Sequence, residues 1–206
     1  MKSVNLLIIL ICVMVCGQKP QDKIFIFNTS LDYIKQTKKG KENIIVLINS
    51  ANPNYYLIIS EHENKLFADL KSFENQKDYF FSVTKNINGF DFIYFNSSNL
   101  SKLSKGQDYY NFDKIENNKI DLKIYANKNL KKLSCIHHLK TIPSNFPLFY
   151  AFKAAMFFPL EDETNVFFPE SILVTESQIE FKNEILTTLT LRELKKIEVE
   201  IKVPSN

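Results

Sequence analysis

Apolar and polar residues alternate with a period of two in parts of the chain. In residues 120–125 and 197–203, Ile, Leu or Val occupies every second position, and Asp, Glu, Lys or Tyr fills the positions between. This period is typical of a strand that buries one face and exposes the other to water. The pattern predicts a strand in each segment.

Short segments rich in apolar, β-branched and aromatic residues, too brief for helices, predict more strands. Clusters of turn-forming residues separate several of these runs, with Asn49–Asn54 between one pair and Lys85–Gly89 between another. Asn88-Gly89 supplies the positive φ angles that a tight reversal needs. The segments predicted as strands on this basis are 24–27, 44–48, 55–59, 79–84 and 90–95.

Two segments predict helices. Residues 148–158 contain alanines and no β-branched residue, and Pro147 precedes them. Residues 31–39 follow a possible N-cap, Ser30, and end before Gly40, so they predict a shorter helix.

Weaker helical signals occur in two other places. Leu66, Leu70 and Phe73 have the spacing of one helical face. Residues 190–193 match a capping box, although a bend in a strand is the alternative.

The composition is that of a folded chain. Of 206 residues, 45% are hydrophobic, and there are only four glycines and seven prolines. No internal repeat or shift in composition marks a domain boundary. We therefore expect one globular domain over residues 24–206, of the α+β class and rich in β-structure, built mainly as an antiparallel sheet of hairpins.

The first residues have the pattern of a signal sequence. Lys2 precedes an uninterrupted apolar run from Leu6 to Val15, and the chain turns polar at Gly17-Gln18-Lys19-Pro20. The run fits the apolar region of a signal peptide and is too short to span a bilayer as a helix. The sequence predicts a signal sequence over 1–17, a polar tether over 18–23, and export.

Val13-Met14-Val15-Cys16-Gly17 resembles a bacterial lipobox. The resemblance implies a small bacterial envelope lipoprotein whose cysteine, Cys16, is acylated and becomes the new N-terminus. Such a chain is anchored to the membrane through lipid and does not span it. The alternative is ordinary signal peptidase cleavage after Gly17, which would give a soluble exported protein starting at Gln18.

Charge and cysteine content narrow the classes of partner and chemistry. The net charge of +3 gives no strong field for a polyanion, so we expect no nucleic-acid partner. Cys135 is the sole cysteine after the leader, so the mature chain cannot form an internal disulfide. No motif for nucleotide binding or for a known hydrolase is present, and we assign no cofactor.

Cys135, His137 and His138 are the one group that suggests a nucleophile or a metal site. Adjacent histidines point to opposite faces of a strand, however, so this spacing also fits a buried cysteine beside two partly exposed histidines. Glu61-His62-Glu63 fits the polar end of a hairpin. Glu161-Asp162-Glu163 could offer oxygen ligands to calcium but lacks EF-hand spacing. We assign no catalytic residue and no metal.

These observations favour an envelope protein of the periplasm or outer membrane with a non-enzymatic binding or structural role. Its contacts would be the membrane, through Cys16, and a protein, glycan or lipid ligand. The aromatic residues around 146–168 could line a groove for such a ligand, together with tyrosines elsewhere in the chain, which suit exposed contacts better than phenylalanine does: Tyr55, Tyr56, Tyr109 and Tyr110. The alternatives are an anchored inhibitor or immunity factor, and an exported hydrolase with a site built from dispersed residues.

Overall fold

The structure is a computed structural model, and it describes residues 22–87, 89–100, 109–157, 168–182 and 184–204. These residues form eleven strands and one helix. The elements are β1 (Lys23–Thr37), β2 (Gly40–Asn49), β3 (Asn52–His62), β4 (Lys65–Ser72), β5 (Lys77–Asn86), β6 (Gly89–Asn99), β7 (Tyr109–Glu116), β8 (Lys119–Tyr125), β9 (Leu133–Pro143), α1 (Phe149–Phe157), β10 (Ile172–Phe181) and β11 (Glu184–Val203).

The strands form one sheet in the order β6-β5-β4-β3-β2-β1-β11-β10-β9-β8-β7. Strands that are consecutive in the chain pair antiparallel, apart from β6 and β7, which lie at the two ends of the order. The prediction of a β-rich, mainly antiparallel fold is therefore confirmed.

The chain divides into two units. The larger unit is residues 26–199, which contain the helix and most of the sheet. The described part of the smaller unit is residues 22–25 and 200–204, where Phe25, Ile201 and Val203 are buried and Ile24 is exposed. The expectation of one domain over 24–206 stays a prediction. β1 begins at Lys23, the last residue assigned to the tether.

The helix lies against one side of the sheet, over β2, β3 and β10. We call this the helix side. In β1, Leu31 and Tyr33 are buried there, and they pair with Val46 and Ile44 of β2. The Tyr33 hydroxyl donates a hydrogen bond to the Val174 carbonyl oxygen at 3.3 Å. Apolar residues from β1, β2, β8 and β10 thus form one core beneath the helix.

The helix itself is almost entirely buried. Ala151, Ala154 and Ala155 let its backbone approach the sheet closely, and Phe149 and Phe152 fill the space beside them, with ring centroids 5.3 Å apart. The prediction of a helix at 148–158 is confirmed in its position. The helix begins one residue later than predicted, because Leu148 lies in the preceding turn. Phe158, the last residue of the prediction, lies outside the described residues.

The predicted helix at 31–39 is wrong. These residues belong to β1, which continues to Thr37, and to the turn that follows it. Leu31 and Tyr33 alternate with the polar residues Ser30 and Asp32, and pairing with the apolar residues of β2 outweighs the local capping signals. Gly40 begins β2 and is not a helix cap.

The two weaker helical signals are also wrong. Residues 66–72 lie in β4, where Ala68 and Leu70 are buried on the same side of the sheet. Residues 190–193 lie inside β11, and Thr190 pairs with Glu176 of β10. In both segments the sheet supplies the cross-strand partners that the helical assignment ignored.

The predicted strands lie within β1, β2, β3, β5, β6, β8 and β11. The β5–β6 hairpin closes with Asn86 opposite Gly89, whose φ of +145° is readily adopted only by glycine. Glu61-His62-Glu63 lies at the polar end of the β3–β4 hairpin, as expected. Glu63 and Asn64 form the turn, with φ angles of 51° and 62°. The leader 1–17, with Cys16, lies outside the described residues.

Candidate functional site

Strand β9 carries all three candidate site residues, and it divides them between the two sides of the sheet. Cys135 pairs with Ile124 and His137 with Leu122, so both side chains lie on the helix side. His138 pairs with Asp121 and lies on the opposite side. The side chains of consecutive residues in a strand point in opposite directions, so the two imidazoles cannot converge on one substrate or ion.

His137 is 1% exposed. Its neighbours across the sheet are Leu122 of β8 and Ile179 of β10. Burial, followed by the charge of His138, lowers the pKa of His137 to about 4. The imidazole is therefore neutral near neutral pH. Cys135 is half-buried and packs against the same core.

His138 connects three strands on the opposite side of the sheet. Its Nδ1 lies 2.8 Å from Oδ1 of Asp121 on β8, and its Nε2 lies 2.9 Å from Oε2 of Glu180 on β10. An ionised carboxylate only accepts hydrogen bonds, so both ring nitrogens must donate. With both carboxylates ionised, this geometry is that of an imidazolium, and we call the three residues the His138 bridge.

The surroundings of His138 act on its proton in two directions. Desolvation lowers the pKa of His138, whereas the hydrogen bonds and charges of Glu180 and Asp121 raise it, and the net pKa is above the usual 6.5. An imidazolium with both nitrogens engaged has no lone pair with which to remove a proton. The arrangement is suited to holding strands together and not to general base catalysis.

Lysine–carboxylate pairs surround the bridge. Nζ of Lys123 lies 2.6 Å from Asp113, Nζ of Lys119 lies 2.9 Å from Glu116, and Nζ of Lys140 lies 2.7 Å from Glu176. An open depression of about 290 Å³ lies beside His138, with Ile115, Leu139 and Gln178 among its lining residues. Among the described residues no group of three or more His, Cys, Asp or Glu could hold a metal ion. Glu161-Asp162-Glu163 lies outside them.

A second candidate site lies at the end of the sheet formed by β6. Ile93 and Phe95 of this strand are 63% and 59% exposed. The ring of Phe95 stacks on Phe80 of β5, with centroids 6.4 Å apart. The pairing of β5 with β6 shifts register between Phe80 and Phe81, and Phe95 is the residue left without a partner. We call Phe80, Ile93 and Phe95 the β6 surface.

The two end strands of the sheet differ in charge. Strand β7 carries Asp113, Lys114 and Glu116, and Lys114 bonds to Glu170. Strand β6 carries a single charged residue, Asp91, which accepts a hydrogen bond from Asn86 at 2.8 Å. Charged side chains on an end strand discourage pairing with other chains, so β7 is protected in a way that β6 is not.

Sequence reasoning named His138 but missed Asp121 and Glu180. Asp121 was recognised as the polar position of an alternating strand, but its partner depends on the register between β8 and β9. The β6 surface had a visible signal, because residues 92–95 are apolar or aromatic on both faces of a predicted strand.

No family model matches the chain, and no curated protein matches it. One similar solved structure is a domain from Vibrio parahaemolyticus with a proposed role as an outer membrane lipoprotein-sorting protein. It is 7% identical, and the match covers 84% of this chain and 85% of that domain, with a TM-score of 0.24. A TM-score this low does not establish a common fold. Within the described residues, no helix is long and apolar enough to cross a membrane.

Proposed function

We propose that this chain is an exported protein of the cell envelope, anchored by lipid at Cys16, that binds a partner protein through the β6 surface. The observation that carries the proposal is the unprotected end strand. β6 exposes Ile93 and Phe95, and it bears one charged residue along its eleven positions. An end strand that exposes large apolar side chains and carries little charge invites aggregation, so its presence here favours a role in binding.

The chemistry of the surface favours a protein over a glycan. Phe80, Ile93 and Phe95 offer no side-chain hydrogen bonds, whereas recognition of a sugar requires several. An end strand also presents a row of backbone N–H and C=O groups, which an extended segment of another protein can pair with. Apolar side chains beside such a row suit a partner strand with apolar residues at alternate positions.

The placement of the candidate chemical residues supports a non-enzymatic role. Cys135 and His137 lie on the helix side and His138 on the other, so the three residues do not form one cluster. His138 is held by two carboxylates. The hydrolase alternative would therefore need residues other than these three.

Site-specific cross-linking in cells tests the proposal. A photoreactive amino acid is placed at Ile93 or at Phe95 in the full chain, and at Ile185 as the control. Ile185 is apolar and 46% exposed, but it lies in β11, which has strands on both sides in the sheet. We expect discrete adducts in the envelope fraction from positions 93 and 95, and none from position 185.

A charge substitution provides the matched variant. Ile93→Lys should remove the adduct formed from position 95, because a lysine would have to be desolvated in the contact. Ile185→Lys should leave it in place. Absence of adducts from both β6 positions, or equal adducts from position 185, would contradict a binding role for this surface.

A further inference from the structure

The His138 bridge joins three strands through side chains alone. His138 of β9 lies directly opposite Asp121 of β8 and opposite Gln178 of β10. Glu180 lies two residues further along β10 and reaches back to Nε2. One imidazole thus ties β8, β9 and β10 together on the side of the sheet away from the helix.

The tie depends on two protons. Asp121 and Glu180 are both acceptors, at 2.8 Å and 2.9 Å from the two ring nitrogens. Loss of one ring proton would leave a nitrogen lone pair facing a carboxylate oxygen at hydrogen-bond distance, which is repulsive. A neutral imidazole can keep one of the two bonds but not both.

The lysines of β8 and β9 beside the bridge are paired with other carboxylates. From β8, Lys119 and Lys123 bond to Glu116 and Asp113, and from β9, Lys140 bonds to Glu176 of β10. Strand β11 contributes Thr188 opposite Gln178, which carries no charge. His137, on the other side of β9, is neutral near neutral pH and so supplies no positive charge. His138 is therefore the cation that Asp121 and Glu180 share.

We propose that the His138 bridge is a pH-sensitive tie, which holds β8, β9 and β10 together while the imidazole is doubly protonated and loosens this end of the sheet when it loses a proton. The proposal is independent of the β6 surface, which lies at the other end of the strand order.

The direction of the pH dependence follows from the linkage between protonation and folding. The pKa of His138 is raised in the folded chain, so the folded state holds the proton more tightly than the unfolded state does. The stabilisation is complete below the unfolded value of about 6.5 and is lost as pH rises through the folded-state pKa.

Proton NMR tests whether Asp121 and Glu180 hold the proton on His138. The chain has three histidines, whose signals are assigned by single substitutions. We expect His138 to titrate above about pH 6.5. Asp121→Asn and Glu180→Gln should each shift that titration to lower pH, because each removes one negative acceptor. A His138 titration at or below about pH 6.5, or one that neither substitution moves, would overturn the proposal.

Amide hydrogen exchange on the unmodified chain tests whether β8, β9 and β10 loosen when His138 loses a proton. As pH rises through the His138 titration, amides of β8, β9 and β10 should lose protection, after correction for intrinsic exchange, relative to amides of β2, β3 and β4. In His138→Gln this pH-dependent loss should disappear, while in His62→Gln, an exposed histidine in the β3 hairpin, it should persist. Equal loss in both groups of strands, or the same loss in His138→Gln, would overturn the proposal.

Discussion

His137 and His138 are consecutive residues of β9, and their imidazoles lie on opposite sides of the sheet. His137 is buried on the helix side, and His138 hydrogen-bonds to two carboxylates on the other side. Their pKa values move in opposite directions, with His137 lowered to about 4 and His138 raised. One dipeptide therefore makes folding sensitive to pH in both directions, and the sheet is most stable between the two titrations.

His137 governs the acid side of this range. Its folded-state pKa lies below the unfolded value of 6.5, so the unfolded chain binds more protons, and stability falls as pH falls from about 6.5 towards about 4. A shift of this size is worth about 3 kcal/mol across the range. His137→Gln should remove this dependence, as measured by urea unfolding at a series of pH values.

The control for His137 is His62→Gln, the same chemical change at a largely exposed site. Its profile should follow that of the unchanged chain. If His137→Gln kept the same loss of stability on acidification, His137 would not be the group responsible.

Elements whose signals are local could be predicted from the sequence. The β5–β6 hairpin follows from Asn88-Gly89, and the helix at residues 149–157 follows from its alanines and its lack of β-branched residues. The helix predicted at residues 31–39 was wrong because Ser30 and Gly40 are good helix boundaries when considered alone. Pairing with β2 instead makes most of these residues part of a strand. The strands β7, β9 and β10 were missed because charged or polar residues interrupt their apolar pattern.

The candidate sites needed information that the sequence does not contain. His138 could be named from its type, but Glu180 lies forty-two positions later and meets it through the register of β9 with β10. The exposure of Ile93 and Phe95 depends on β6 being last in the strand order, and no local pattern encodes that order. Register and strand order arise from the whole sheet.

Lys71 and Asp78 form a buried ion pair between β4 and β5. They lie directly opposite each other, with Nζ 2.9 Å from Oδ2, and their side chains are 5% and 12% exposed. Lys71→Met would leave a buried carboxylate without this partner and should cost about 3–5 kcal/mol of unfolding free energy. Chemical denaturation measures the loss.

A double substitution separates pairing from burial. Lys71→Met combined with Asp78→Leu removes both charges and should be less destabilised than Lys71→Met alone. Lys38→Met, at the exposed Lys38–Glu184 pair with the same 2.9 Å separation, should produce a far smaller change. If the double variant had a lower unfolding free energy than Lys71→Met alone, loss of the ion pair would not account for the destabilisation.

Phe152 anchors the helix to the core. It is 0% exposed and packs beside Phe149. Phe152→Ala should cost about 3–5 kcal/mol, because it opens a cavity beneath the helix. Alanine favours helix formation, so the loss would come from packing alone. Phe146→Ala, at an exposed phenylalanine just before the helix, should change the unfolding free energy much less. Equal losses in the two variants would argue against a core role for Phe152.

Cys16 determines how the proposed protein is attached. If the thiol is lipid-modified, the mature chain begins at Cys16 and carries diacylglycerol and acyl mass, and these acyl chains together make a stable anchor. Intact mass of the protein purified from membranes should show this start and this added mass.

Cys16→Ala should shift the protein from the membrane to the soluble exported fraction, while Cys12→Ala, in the apolar run of the leader, should leave it in the membrane. An unmodified chain that starts at Gln18 would instead establish ordinary cleavage after Gly17, and the binding role of the β6 surface would then belong to a soluble protein.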